Sequence, residues 1–127
     1  MDRPENLAIV YHPARSGLEK FWGKLEAELL EIVWENGPMT VKRALFFIRK
    51  KRLYAYTTIM TMMNHLVRKG ILLREKKGHS FVYYPVLTRN EFLKVAAEDI
   101  IAGLLKDFPD ITGPLLADKT HASKRRK

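Results

Sequence analysis

Thr57, Thr61, Asn64 and Arg68 follow one another at spacings of four, three and four residues. They are two short hydroxyls, an amide and a guanidinium, with no carboxylate among them. Groups of this kind hydrogen-bond to the edges of DNA bases and meet phosphates without repelling them. A little further on, Lys76 and Lys77 precede Gly78 and His79, a basic cluster around a glycine. Thr57, Thr61 and Asn64 are therefore expected near bases. Thr40, Tyr56, Arg68, Lys76 and Lys77 are expected to hold phosphates or set the position in a groove.

The segments that must carry these side chains can be read from hydrophobic period. From Tyr56 to Lys69, Ile59, Met62, Met63 and Leu66 recur at the spacing of one buried helix face, which leaves the polar series on the opposite side. Gly70 ends that helix, with Arg68 and Lys69 in the last turn where the helix dipole favours cations. Ile71–Lys76 and Ser80–Tyr84 then flank Lys77-Gly78-His79 as a hairpin with a basic tip.

Upstream, Lys24–Glu35 reads as a helix with Leu25, Leu29, Ile32 and Val33 inward and its glutamates largely outside that stripe. Asn36-Gly37-Pro38 stops it. Met39 is expected to be extended and Thr40 to cap a second helix, about Val41 to Lys50, with Val41, Ala44, Leu45 and Ile48 inward. Phe46 and Phe47 are adjacent and cannot share one face, so at least one should meet a neighbouring element. Trp34 is read as a packing residue. Helix, helix, helix, hairpin is the winged helix-turn-helix plan, a mainly α fold with a small β-hairpin, in which the third helix enters the major groove.

The balance of charge agrees. The chain has 127 residues and a formal charge of +9, which favours a polyanionic partner. From Val41 to Arg52 there are six cations and no acid, whereas Glu19, Glu26, Glu28, Glu31 and Glu35 crowd the segment before. Cysteine is absent, which excludes disulfides, thiolate metal sites and a cysteine nucleophile. No apolar run approaches a membrane span and no signal-peptide pattern opens the chain, so a soluble, cytoplasmic protein is expected. There is no Gly-rich phosphate loop, paired-His motif or nucleophile motif, so neither enzymatic activity nor a cofactor or metal is expected.

Leu25–Trp34, Tyr56–Gly70 and the wing residues Arg74-Glu75-Lys76-Lys77-Gly78 with Phe81-Val82-Tyr83-Tyr84-Pro85 resemble the penicillinase-repressor family over roughly residues 22 to 92. The resemblance implies a dimeric bacterial repressor on a palindromic operator in double-stranded DNA. It also implies a regulatory protease as a further partner. It places Thr57, Thr58, Thr61 and Asn64 where the family's recognition helix meets DNA. The family commonly has Arg where this chain has His65 and His79, and imidazole is no substitute for a permanent bidentate cation. Copper sensing through thiolates, known in one branch, is excluded by the missing cysteines.

Beyond the wing, Thr88-Arg89-Asn90-Glu91 is a capping box opening a helix from Arg89 to about Asp107. Leu93, Ala97, Ile100, Ile101, Leu104 and Phe108 fall on one side of it and are read as a homodimerisation stripe, the competing reading being a fold-back onto the chain's own domain. Phe108-Pro109 should break the helix, and Gly113-Pro114 could start another turn. The expected organisation is an N-terminal arm at 1–20, the winged domain at 21–87, a dimerisation region at 88–118 and a basic disordered tail at 119–127. Two rival functions use the same fold: a protein–protein adaptor working through its wing and Phe46/Phe47, and a ligand-sensing regulator.

Overall fold

The structure, a computed structural model, describes Leu7 and residues 9–125, with backbone alone from residue 119 onward. The first residues of the expected N-terminal arm, 1–6 and 8, fall outside the described residues, as do Arg126 and Lys127. By its internal contacts the chain divides after Glu91 into two compact units.

In the first unit, α1 (Lys24–Asn36) begins where the Glu26 carboxylate reaches back to accept from the Gly23 N–H at 3.0 Å. It ends at Gly37, whose φ of 88° is the left-handed turn that glycine adopts without strain. The buried face is wider than the predicted stripe: Leu30 is fully buried along with Leu29 and Val33, whereas Leu25 is only half-buried. The cause is that α2 and α3 both pack on α1, so two sides of the helix are covered.

Thr40 caps α2 (Val41–Ile48), its hydroxyl accepting from the Arg43 N–H at 3.1 Å, and Val41, Ala44, Leu45 and Ile48 are all buried as expected. In α3 (Tyr56–Arg68), Ile59, Met63 and Leu66 are fully buried and Met62 is half-buried. The wing follows as β1 (Leu72–Lys77) and β2 (Ser80–Pro85), antiparallel, with Arg74 opposite Tyr83 and Lys77 opposite Ser80. Gly78 takes φ 64° while His79 does not have positive φ, the combination of a type II′ hairpin turn. Met39 is extended as predicted and pairs with Tyr83 through two backbone hydrogen bonds of 3.1 and 2.8 Å. Trp34 does pack, its indole N–H donating to the Leu87 carbonyl at 2.9 Å.

The winged unit starts earlier than the expected boundary at 21. Leu7 and Leu18 are buried, the latter on a 3₁₀ turn at Gly17–Lys20, and Trp22 is 2% exposed. The Tyr11 and Phe21 rings lie 5.8 Å apart, and the His12 N–H donates to the Lys20 carbonyl. Apolar burial and a closed loop therefore fix much of what was read as an arm. Phe46 and Phe47 differ in exposure, Phe47 being half-buried beside Asn36, Pro38 and Met39. They pack edge-on against each other at 5.5 Å, under Arg43 and Lys50, and Phe46 stays exposed.

α4 (Arg89–Asp107) has the predicted capping box: Thr88 Oγ1 accepts from the Glu91 N–H at 3.1 Å, and Glu91 Oε1 from the Thr88 N–H at 2.9 Å. In α4 the buried side chains are Phe92, Val95 and Ala96, not the predicted stripe. Of that stripe, Leu93 and Ile100 are half-buried, and Ala97, Ile101, Leu104 and Phe108 are exposed.

Pro109 is a junction, not a terminator. The Phe108 N–H still reaches the Leu104 carbonyl, and α5 (Pro109–Arg125) starts at once with Pro at its first position, where an N–H is dispensable. The Thr112 hydroxyl donates to the same Leu104 carbonyl at 3.2 Å, a second hydrogen bond across the junction. α5 carries Pro114 within it, where a fresh turn was expected to start, and its helical backbone runs through the segment expected to be disordered as far as Arg125. Among the described residues no helix is long and apolar enough to cross a membrane.

Leu30 is fully buried, whereas Leu25 is half-buried. Leu30→Ala is expected to cost ~2–5 kcal/mol in urea unfolding with an unchanged slope, and Leu25→Ala distinctly less. Equal losses would show that α1 is not covered on two sides.

Candidate nucleic-acid interface

Because Ile59, Met63 and Leu66 turn inward, the other side of α3 is left to water. Thr57, Thr58, Thr61 and Arg68 are exposed, and Tyr56 is nearly half exposed at the helix start. Thr40 sits at the N-terminus of α2, its oxygen already accepting the cap bond. Between α3, the start of α2 and the wing runs a groove of about 450 Å³, with Lys42, Tyr56, Asn64, Arg74 and His79 among the residues lining it.

Alternation along the hairpin sorts the wing residues. Arg74 and Lys76 share the face of Phe81 and Tyr83, and Lys77 shares the other with Tyr84. The two lysines read together from sequence therefore project to opposite sides. Arg74 lies 4.2 Å over the Phe81 ring, while Lys77 stands 5.9 Å from the Tyr84 ring centre. A hydrogen bond with the Tyr84 hydroxyl, with Tyr84 and Glu75 adding charge, holds the Lys77 ammonium above the ordinary lysine range.

Three of the four carboxylates of α1 are engaged within the unit, and Glu35 is exposed near its end. Glu28 accepts from Arg52 and lies 3.9 Å from Lys51, Glu31 accepts from Arg89 at 2.8 Å, and Glu26 accepts from Lys69 at 3.1 Å. Acid is used to tie α1 to its neighbours, and the exposed side of α3 and the groove beside it carry hydroxyls, an amide and cations.

A family profile described as penicillinase repressor matches residues 22–125. The chain belongs to the penicillinase repressor family. It is 25% identical over 76 residues to the penicillinase repressor of Bacillus licheniformis, covering 60% of this chain and 59% of that one. It is 30% identical over 86 residues to the transcriptional regulator BlaI of Mycobacterium tuberculosis, covering 67% of this chain and 56% of that protein. The solution structure of the DNA-binding domain of the repressor BlaI superposes with a TM-score of 0.50 at 26% identity, over 54% of this chain and 83% of that one. The chain spans 56–68% of the length of the curated relatives it matches. The winged-helix fold is that of the family.

Within this penicillinase-repressor fold, two candidate residues are placed otherwise than sequence suggested. The His65 ring does not extend the Thr/Asn face. Its Nε2 lies 3.3 Å from Glu26 and its Nδ1 3.3 Å from an Arg68 nitrogen, so the ring faces α1. Asn64 is half-buried, and its Oδ1 accepts 2.7 Å hydrogen bonds from both the Tyr83 hydroxyl and the Arg74 guanidinium. Arg74 was not among the predicted residues: a three-residue loop at Lys77-Gly78-His79 would set it opposite Val82, whereas the observed register pairs Lys77 with Ser80 and sets Arg74 opposite Tyr83. His79 occupies the exposed hairpin turn, as expected from sequence.

Glu26 is the one buried carboxylate of α1 described here, and it touches Gly23, His65 and Lys69 together. Glu26→Ala removes the cap and both links to α3, and is expected to lower stability by ~1–3 kcal/mol. Glu26→Gln retains the cap oxygen and should lose less. Equal losses in thermal unfolding would mean that the cap to Gly23 contributes little.

Proposed function

We propose that this chain is a sequence-specific, DNA-binding transcriptional repressor that acts in the cytoplasm as a homodimer on an inverted repeat. The observation that carries this reading is the exposed, carboxylate-free face of α3 beside a basic wing, in a member of a family whose named relatives are repressors and regulators. In this reading α3 lies in the major groove with Thr57, Thr58 and Thr61 against base edges and Asn64 at the wing side. Arg68, Lys76, Lys77 and His79 meet phosphates, and Thr40 and Tyr56 position the start of α3. His65 serves to seat α3 on α1. Relief of repression by a regulatory protease belongs to the same proposal and rests on the family alone.

The second unit supports the dimer. Ile101, Leu104, Leu105, Phe108, Ile111 and Leu115 are each at least 37% exposed along α4 and α5. An apolar row of this kind is covered when two copies pair about a two-fold axis. A symmetric pair presents two recognition helices to half-sites about one turn of DNA apart. Within the stripe read from sequence, Leu104 and Phe108 are the residues we place at the centre.

Three measurements test this. Lys77→Ala should weaken promoter and random duplexes alike and lower the salt slope by about one. Thr61→Val should weaken only the promoter duplex, by ~1–3 kcal/mol. Leu104→Asp with Phe108→Asp should yield monomers in sedimentation and lose most promoter affinity, leaving the winged unit folded. A wild-type chain that protects no segment of its own promoter and binds all duplexes equally would refute the repressor reading. An adaptor function would then be favoured.

A further inference from the structure

Two donors converge on one atom where the recognition helix meets the wing. The Tyr83 hydroxyl and Arg74 Nη1 each lie 2.7 Å from Asn64 Oδ1. Arg has donors only, so the atom it approaches must be the amide oxygen; the orientation of the Asn64 side chain follows from chemistry. A carbonyl-type oxygen has two lone pairs, and both are used here. One of the bonds is charge-assisted, and the Tyr83 side chain is 1% exposed, so the phenol is held in place by packing. What Asn64 has left for a ligand is its Nδ2 amino group, two donors and no acceptor.

We propose that Tyr83 and Arg74 fix Asn64 as a donor-only reader, so that position 64 selects a hydrogen-bond acceptor on DNA and does not make the two-bond contact that singles out adenine. The usual asparagine contact with adenine needs both halves of the amide, the oxygen accepting from the 6-amino group while the nitrogen donates to N7. Here the first half is consumed inside the protein. Acceptors that suit the remaining amino group are purine N7, guanine O6, thymine O4 and a phosphate oxygen. Tyr83 is a positioning residue: buried beneath Asn64, it acts on DNA only through that amide. The inference rests on the proposed DNA binding.

The test titrates the full-length chain, at fixed salt, against its own promoter duplex and a random duplex. Single groups on the DNA are deleted in turn: the adenine 6-amino group with purine; N7 with 7-deazapurines; guanine O6 with 2-aminopurine; thymine O4 with 5-methylpyrimidin-2-one; a phosphate charge with methylphosphonate. At one position, deleting an acceptor should weaken the wild-type chain roughly fivefold or more and weaken Asn64→Ala no further. Whether that position is a base or a phosphate identifies the acceptor. Deleting any adenine 6-amino group should affect wild type and Asn64→Ala equally.

Tyr83→Phe frees one lone pair on Asn64. It should lower the promoter-to-random ratio severalfold while random-duplex affinity holds, a split that a loss of folding alone would not produce. Should Tyr83→Phe fold poorly, Arg74→Gln at the exposed wing provides the same ratio. A 6-amino deletion that weakens wild type alone would overturn the proposal, and so would the absence of any acceptor coupled to Asn64. A wild-type chain with no promoter preference would instead refute the DNA reading beneath it.

Discussion

Tyr83 joins three parts of the winged unit that lie far apart in sequence. Its backbone N–H and C=O both pair with Met39, which fixes the stretch between α1 and α2 against the wing. Its ring is buried, and its hydroxyl donates to Asn64 on α3. An isolated two-stranded hairpin is marginal in water, so a wing needs anchorage to hold a fixed angle to its helix. Here the anchor is one residue whose backbone and side chain point to different partners. The Thr40 cap follows directly on Met39, so the start of α2 is held from the same point.

Charge separation is the second organising feature, and it follows from packing. A helix flanked by α2 and α3 must bury two sides, and its polar groups are pushed to the seams. Glu26, Glu28 and Glu31 occupy those seams and meet cations from α3, the α2–α3 turn and the start of α4. These bonds are individually modest, being mostly half-exposed. Their larger effect is one of placement: acid kept among the helices leaves the outward side of α3 free of like-charge repulsion toward a polyanion. The electrostatic pull of such a surface carries no sequence information. Selectivity must then come from neutral polar groups with fixed geometry.

The fold of the first unit was legible because its local signals agree. A 3.6-residue period, a glycine after α3, a threonine before α2 and a Gly-centred turn each specify one element, and the element order leaves few alternatives. Leu30 escaped because a single stripe was sought on a helix covered from two sides. The residues before Lys24 were illegible for a different reason: a short apolar run with two prolines has no period, and only tertiary contact reveals Leu7, Leu18 and Trp22 as buried. At the site, residue types on α3 pointed to the exposed face, but the partners of individual groups did not show. Glu26 beneath His65, and Tyr83 beneath Asn64, are long-range pairings that no spacing on α3 encodes.

The second unit shows what happens when apolar residues surround a helix. The first turns of α4 carry Phe92, Leu93, Val95, Ala96 and Ala97 in close succession, so several stripes can be drawn through them. Choosing the one that continues to Phe108 selected the face left exposed and overlooked Phe92, Val95 and Ala96, the buried one. A helix apolar on more than one side carries more than one burial demand. Proline is equally ambiguous from sequence. From sequence Pro109 predicts a stop, yet its missing N–H costs nothing in the first turn of α5. With Thr112 adding a second hydrogen bond to the Leu104 carbonyl across the junction, the exposed row passes from Leu104 and Phe108 on to Ile111 and Leu115, with Phe108 alone outside the two helices. Apolar area on that row remains in water in a single chain, which makes association with another apolar surface favourable.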